Sequence, residues 1–85
     1  MSKGKVLVVD DSPTQLSFMR APFEENGYEV LTATDGEAAL HVALQEDLLL
    51  AVLDVVMPKM NGFQACTKIK DQKATLPGIL LTSKD

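Results

Sequence analysis

A chain of 85 residues leaves room for one small domain, and 46% hydrophobic with 24% charged residues is the composition of a globular fold rather than of a disordered or fibrous one. The formal net charge of −4, with no cluster among the lysines and arginines, argues against direct nucleic-acid binding. No apolar run nears the roughly 18 residues that span a bilayer. The run after Met1-Ser2-Lys3-Gly4-Lys5 is too short for a signal-peptide core, and the single cysteine, Cys66, cannot close an intrachain disulfide, so a cytoplasmic protein without membrane contact is expected.

Apolar strand-like runs alternate with helix-like segments in the order β-α-β-α-β-α-β, and residues 1–85 read as a single α/β domain. Such alternation calls for a doubly wound parallel sheet with helices on both faces and right-handed crossovers. The first run, Lys5-Val6-Leu7-Val8-Val9, is almost wholly apolar, as a central strand requires. The next segment carries the signals of a helix: Ser12 as cap, Pro13 at the first helical position and Gln15 at capping-box spacing. Leu16, Met19 and Phe23 share one face, Asn26-Gly27 ends the helix, and Pro22 predicts a kink or irregularity before that end. Residues 28–33 mix polar and apolar positions and read as an edge strand.

Asp35-Gly36 opens a second helix, from 37 to about 46, with an apolar stripe of Ala39, Leu40, Ala43 and Leu44; His41 lies off the stripe and faces solvent. Leu48-Leu49-Leu50-Ala51-Val52-Leu53 is a second central strand. Asn61-Gly62 starts a third helix with Ala65, Cys66 and Ile69 on its buried side, and Cys66 reads there as a small apolar group. Pro77-Gly78 leads into Ile79-Leu80-Leu81-Thr82, a fourth strand.

The distinctive polar residues gather where strands end. Asp10 and Asp11 follow the first strand, Asp54 follows the third, and Thr82 ends the fourth. Open parallel sheets bind ligands at their carboxyl edge. Adjacent carboxylates repel, and magnesium, which takes oxygen ligands and needs only one or two carboxylates, relieves that repulsion. Asp54 can ligate the ion and serve as a nucleophile toward phosphorus, with the Thr82 hydroxyl in reach of a phosphoryl oxygen. Taken alone, Asp10-Asp11 also suits an ordinary pair of partners for a helix dipole.

Val6-Leu7-Val8-Val9-Asp10-Asp11-Ser12, Asp54-Val55-Val56-Met57-Pro58-Lys59-Met60-Asn61-Gly62 and Leu80-Leu81-Thr82-Ser83-Lys84-Asp85 together resemble the receiver domain of bacterial two-component response regulators, of the chemotaxis-regulator type. Ala33-Thr34-Asp35-Gly36-Glu37-Ala38-Ala39-Leu40 fits the start of that family's second helix. The resemblance implies a flavodoxin-like fold, here with strand order 2-1-3-4. It further implies that Asp54 accepts a phosphoryl group from a sensor histidine kinase or phosphotransfer protein. Asp10, Asp11, Asp54 and the backbone carbonyl of Val56 would hold Mg2+. Thr82 would act as the switch hydroxyl, and Pro58 and Gly62 would shape the loop beneath the metal.

The family pattern continues through a further helix, a strand ending in lysine and a last helix, so the resemblance implies a receiver truncated after its fourth strand. Lys84 is not that lysine's equivalent. Half-uncovering Ile79-Leu80-Leu81 forfeits on the order of several kcal/mol against a typical stability of about 5–15, so self-association through the fourth-strand edge is expected. The alternative to a phosphoacceptor is a pseudo-receiver that serves as an interaction module without phosphorylation. An enzyme is not expected: aspartyl-nucleophile phosphatases resemble a pattern with a second aspartate two residues after the nucleophile, and Val56 stands there.

Overall fold

The computed structural model describes residues 3–54, 62–72 and 79–82. Its elements are β1 (Lys5–Val9), α1 (Pro13–Glu25), β2 (Glu29–Ala33), α2 (Gly36–Gln45), β3 (Leu48–Asp54), α3 (Gly62–Gln72) and β4 (Ile79–Thr82). All strand pairs are parallel and the sheet order is β2-β1-β3-β4. The apolar β1 and β3 are interior, and β2, with Glu29 and Thr32 exposed, lies at an edge, as its composition requires.

Strand alternation divides the core in two. Leu7 and Val9 face one side of the sheet with Ala33, Ala51 and Leu53, where Ala39 and Ala43 of α2 and Ile69 of α3 cover them. Val6 and Val8 face the other side, covered by Leu16, Met19 and Phe23 of α1. The small Ala39 and Ala43 let α2 approach the sheet closely. Leu40 is partly buried against this core, whereas Leu44, expected on the buried stripe, is 45% exposed. It lies far enough around the helix to leave the contact. His41 is exposed, and the side chains of Ala65 and Cys66 lie outside the described residues.

Local signals fix the ends of α1. Ser12 takes an extended conformation (φ −103°, ψ 117°) and its Oγ accepts from the Gln15 N–H at 3.4 Å. At the far end Gly27 adopts φ 90°; its N–H donates to Glu24 O (3.1 Å), and the Tyr28 N–H donates to Phe23 O (3.0 Å). These two bonds form a Schellman closure, and the Phe23 and Tyr28 rings pack edge to face at 6.2 Å across it. The helix runs uninterrupted through Pro22, which is exposed near the last turn. Asp35 caps α2 by accepting the Ala38 N–H at 2.8 Å.

One irregularity shapes the lower end of the sheet. Lys5 pairs with Leu48 but Val6 pairs with Leu50, so Leu49 has no partner on β1 and is 44% exposed despite its apolar run. The extra residue restores the alternation that sends Ala51 and Leu53 to the α2–α3 side. At the same end Lys5 Nζ and Glu46 Oε1 pair at 2.7 Å, joining the start of β1 to the cap of α2.

Candidate functional site

The carboxyl edge of β1 presents two adjacent carboxylates in opposite environments. The Asp10 N–H donates to Ala33 O at 3.2 Å, carrying the β1–β2 ladder one residue past the strand. Asp10 is consequently held at sheet depth and is 1% exposed, whereas Asp11, the next residue, faces solvent. A buried carboxylate is costly without donors, and the Ser12 N–H donates to Asp10 Oδ1 at 2.9 Å. The amino terminus of α1 opens at the same edge and adds a favourable dipole for negative charge.

Sheet register brings the other two positions alongside. Val9 is level with Leu53, and Asp54 is level with Thr82. Asp10, one residue beyond Val9, therefore lies on the same row as Asp54 and Thr82, across three strands spaced about 4.8 Å apart. The three segments are distant in sequence and only the parallel register joins them. The side chains of Asp54 and Thr82 lie outside the described residues, as do Val56, Pro58 and Lys84.

Chemically, aspartate carboxylates are hard oxygen donors, the kind that suit magnesium or calcium rather than a thiophilic metal. Asp10 and Asp11 thus place one buried and one exposed carboxylate side by side. The role of the Ser12 backbone escaped the reading of the sequence. Its only signal is Pro13, which biases the preceding residue toward extended backbone.

Residues 6–85 match the family model of the response regulator receiver domain. Among relatives, the chain is 43% identical over 81 residues to the alkaline phosphatase synthesis transcriptional regulatory protein PhoP of Bacillus subtilis, covering 95% of this chain and 34% of PhoP. It is 40% identical over 84 residues to protein PilH of Pseudomonas aeruginosa, covering 96% of this chain and 69% of PilH. Thus it spans about a third of the length of one relative and about two thirds of the other. Among solved structures, the response regulator TrrA of Thermotoga maritima, crystallised in complex with Mg(2+)-BeF, superposes with a TM-score of 0.86 at 32% identity, over 98% of this chain and 70% of TrrA.

Proposed function

Because the chain belongs to the response regulator receiver domain family of two-component signalling, we propose that Asp54 accepts a phosphoryl group from a phosphohistidine of a sensor histidine kinase or phosphotransfer protein. The observation that carries this reading is the shared row of Asp10, Asp54 and Thr82 at the carboxyl ends of neighbouring parallel strands. In the transfer, a carboxylate oxygen of Asp54 forms the new O–P bond as the P–N bond to the donor imidazole breaks. Such a transfer requires alignment and charge neutralisation more than covalent chemistry from the protein.

Asp10, Asp11, Asp54 and the Val56 carbonyl would hold Mg2+, and the oxygen-donor set fits that ion. When bound, the ion neutralises charge on the carboxylates and on the phosphoryl oxygens. Asp10 contributes a carboxylate fixed by the Ser12 N–H, and Asp11 an accessible one. Thr82 would donate its hydroxyl to a phosphoryl oxygen and so couple the new charge on Asp54 to β4. The product remains on the protein, which makes this a signalling module rather than an enzyme. Such a partner goes with a cytoplasmic location; among the described residues no helix is long and apolar enough to cross a membrane. Self-association through the β4 edge is part of the same proposal. Gel filtration with light scattering tests it, and a monomer at all concentrations removes it.

A small-molecule phosphodonor with Mg2+ tests the main proposal. Intact-mass spectrometry should show a single phosphoryl adduct that is absent from Asp54→Asn. Equal labelling of that variant excludes Asp54, and an unlabelled but folded wild type favours an interaction module.

A further inference from the structure

At the turn between α1 and β2 we infer a modification site: Asn26 undergoes deamidation, and the closure of α1 gates it, so that conversion proceeds only when this end of the helix opens. The inference does not depend on phosphoryl acceptance at Asp54. Its chemistry belongs to the pair Asn26-Gly27. The Gly27 nitrogen gives up its proton to solvent and attacks Cγ of Asn26; a C–N bond forms as the Cγ–Nδ2 bond breaks, and ammonia leaves with a proton returned by solvent. Water then opens the cyclic imide at either carbonyl, leaving aspartate or isoaspartate. In sum an amide and water become an acid and ammonia, with nothing oxidised or reduced. Glycine after the asparagine has no Cβ to hinder the attack, and both residues are exposed, so water reaches the imide.

In the folded chain that attack has no line of approach. Asn26 has φ −98° and ψ 12°. With ψ near zero the Gly27 nitrogen nearly eclipses the nitrogen of Asn26 and stands away from Cβ. Ring closure requires it to eclipse Cβ instead, and tetrahedral geometry at Cα separates the two positions by roughly a third of a turn. Such a rotation carries Gly27 and Tyr28 with it, and both are tied on several sides. The Gly27 N–H donates to Glu24 O at 3.1 Å, the Tyr28 N–H to Phe23 O at 3.0 Å, and Gly27 O accepts from the Lys3 N–H at 2.8 Å. Directly beyond them β2 begins at Glu29, whose N–H donates to Gly4 O at 2.9 Å. The leaving amide is held as well, since Asn26 Nδ2 donates to Pro22 O at 2.7 Å. Cyclisation therefore waits for residues 26–28 to come away together. Conversion removes the Nδ2 donor and sets a carboxylate beside Glu24 and Glu25 at the negative end of α1, so the product opposes reclosure.

Incubation of the whole chain at mildly alkaline pH, folded and in unfolding urea, tests this, with peptide mapping to separate Asn26 from the second Asn-Gly pair at Asn61. Asn26 should convert about ten- to a hundredfold more slowly in the folded chain than in urea. Tyr28→Ala removes the ring that packs against Phe23 across the closure. It should raise the folded rate, taken relative to the same variant in urea, by about threefold or more. Asp35→Ala removes the cap of α2, away from this turn, and should leave that ratio within about twofold. The Gly27 amide proton should exchange faster in Asn26→Asp than in the wild type. Equal conversion of folded and unfolded wild type overturns the inference. An unchanged ratio in folded Tyr28→Ala also overturns it, as does an equal rise in Asp35→Ala, which would make the opening global. If Tyr28→Ala does not fold, the wild-type comparison decides alone. Unaltered Gly27 exchange in Asn26→Asp overturns the claim that conversion loosens the helix end.

Discussion

Gly4 is the position where one methyl group has the most predictable effect. Its φ is 139°, and hydrogen bonds on both sides hold it there: Lys3 N–H to Gly27 O at 2.8 Å and Glu29 N–H to Gly4 O at 2.9 Å. An alanine there must adopt backbone that L residues rarely take, costing about 1–3 kcal/mol. The added Cβ would also overlap Leu49 Cδ1 and lie 2.8 Å from its Cγ. Leu49 is 44% exposed and can turn outward, so this second contribution is small, about 0.5–1.5 kcal/mol for an unfavourable rotamer. Together Gly4→Ala should destabilise by about 1.5–4.5 kcal/mol. With a urea dependence near the low end for small domains, ~1 kcal/mol per molar, the midpoint should fall by about 1.5–4.5 M, or the variant should be unfolded at the outset. Far-UV circular dichroism in urea measures it. The same substitution made in Leu49→Ala isolates the backbone contribution, because the overlapping side chain is gone; a loss there below about 0.5 kcal/mol would refute the reasoning from φ.

Leu7→Ala removes a fully buried side chain from the larger core, next to Leu31 and Ala51 in register, and should cost about 2–5 kcal/mol in the same urea assay; a loss under 1 kcal/mol would mean that this core is not formed as described. The Lys5–Glu46 pair predicts a pH dependence. The hydrogen bond from Lys5 to Glu46, followed by their Coulomb attraction, raises the Lys5 pKa above its ordinary value of 10.5. A group whose pKa is raised by folding stabilises fully below its unfolded pKa and ceases to do so as pH climbs through the raised value. Wild type should therefore melt above Glu46→Gln at pH 8, with the gap closing beyond pH ~10.5. Because both side chains are more than a third exposed, salt should shrink the gap as well. A gap that widens with pH contradicts the assignment.

Sequence by itself determined what depends on neighbours a few residues apart. Period-two and period-3.6 patterning set the type and order of the elements, and Ser12-Pro13, Asn26-Gly27 and Asp35-Gly36 marked helix ends through chemistry contained within one turn. The contrast between apolar β1 and β3 and the mixed β2 separated centre from edge, although the full strand order came with the family resemblance. That Asp10, Asp11, Asp54 and Thr82 terminate strands was equally legible.

Tertiary structure decided what depends on register and depth. Asp10 and Asp11 are equivalent letters, yet one is at sheet depth and the other in solvent, because Asp10 continues the ladder to Ala33. Leu49 belongs to an unbroken apolar run but faces outward, because β1 and β3 pair with one residue to spare. Leu44 fits a helical stripe that α2, drawn to the sheet at Ala39 and Ala43, does not bury in full. The row joining Asp10, Asp54 and Thr82 exists only through parallel pairing between segments far apart in the chain. Local propensity carries no record of such pairing: shifting a strand by one residue leaves every short-range pattern intact while sending each side chain to the opposite face.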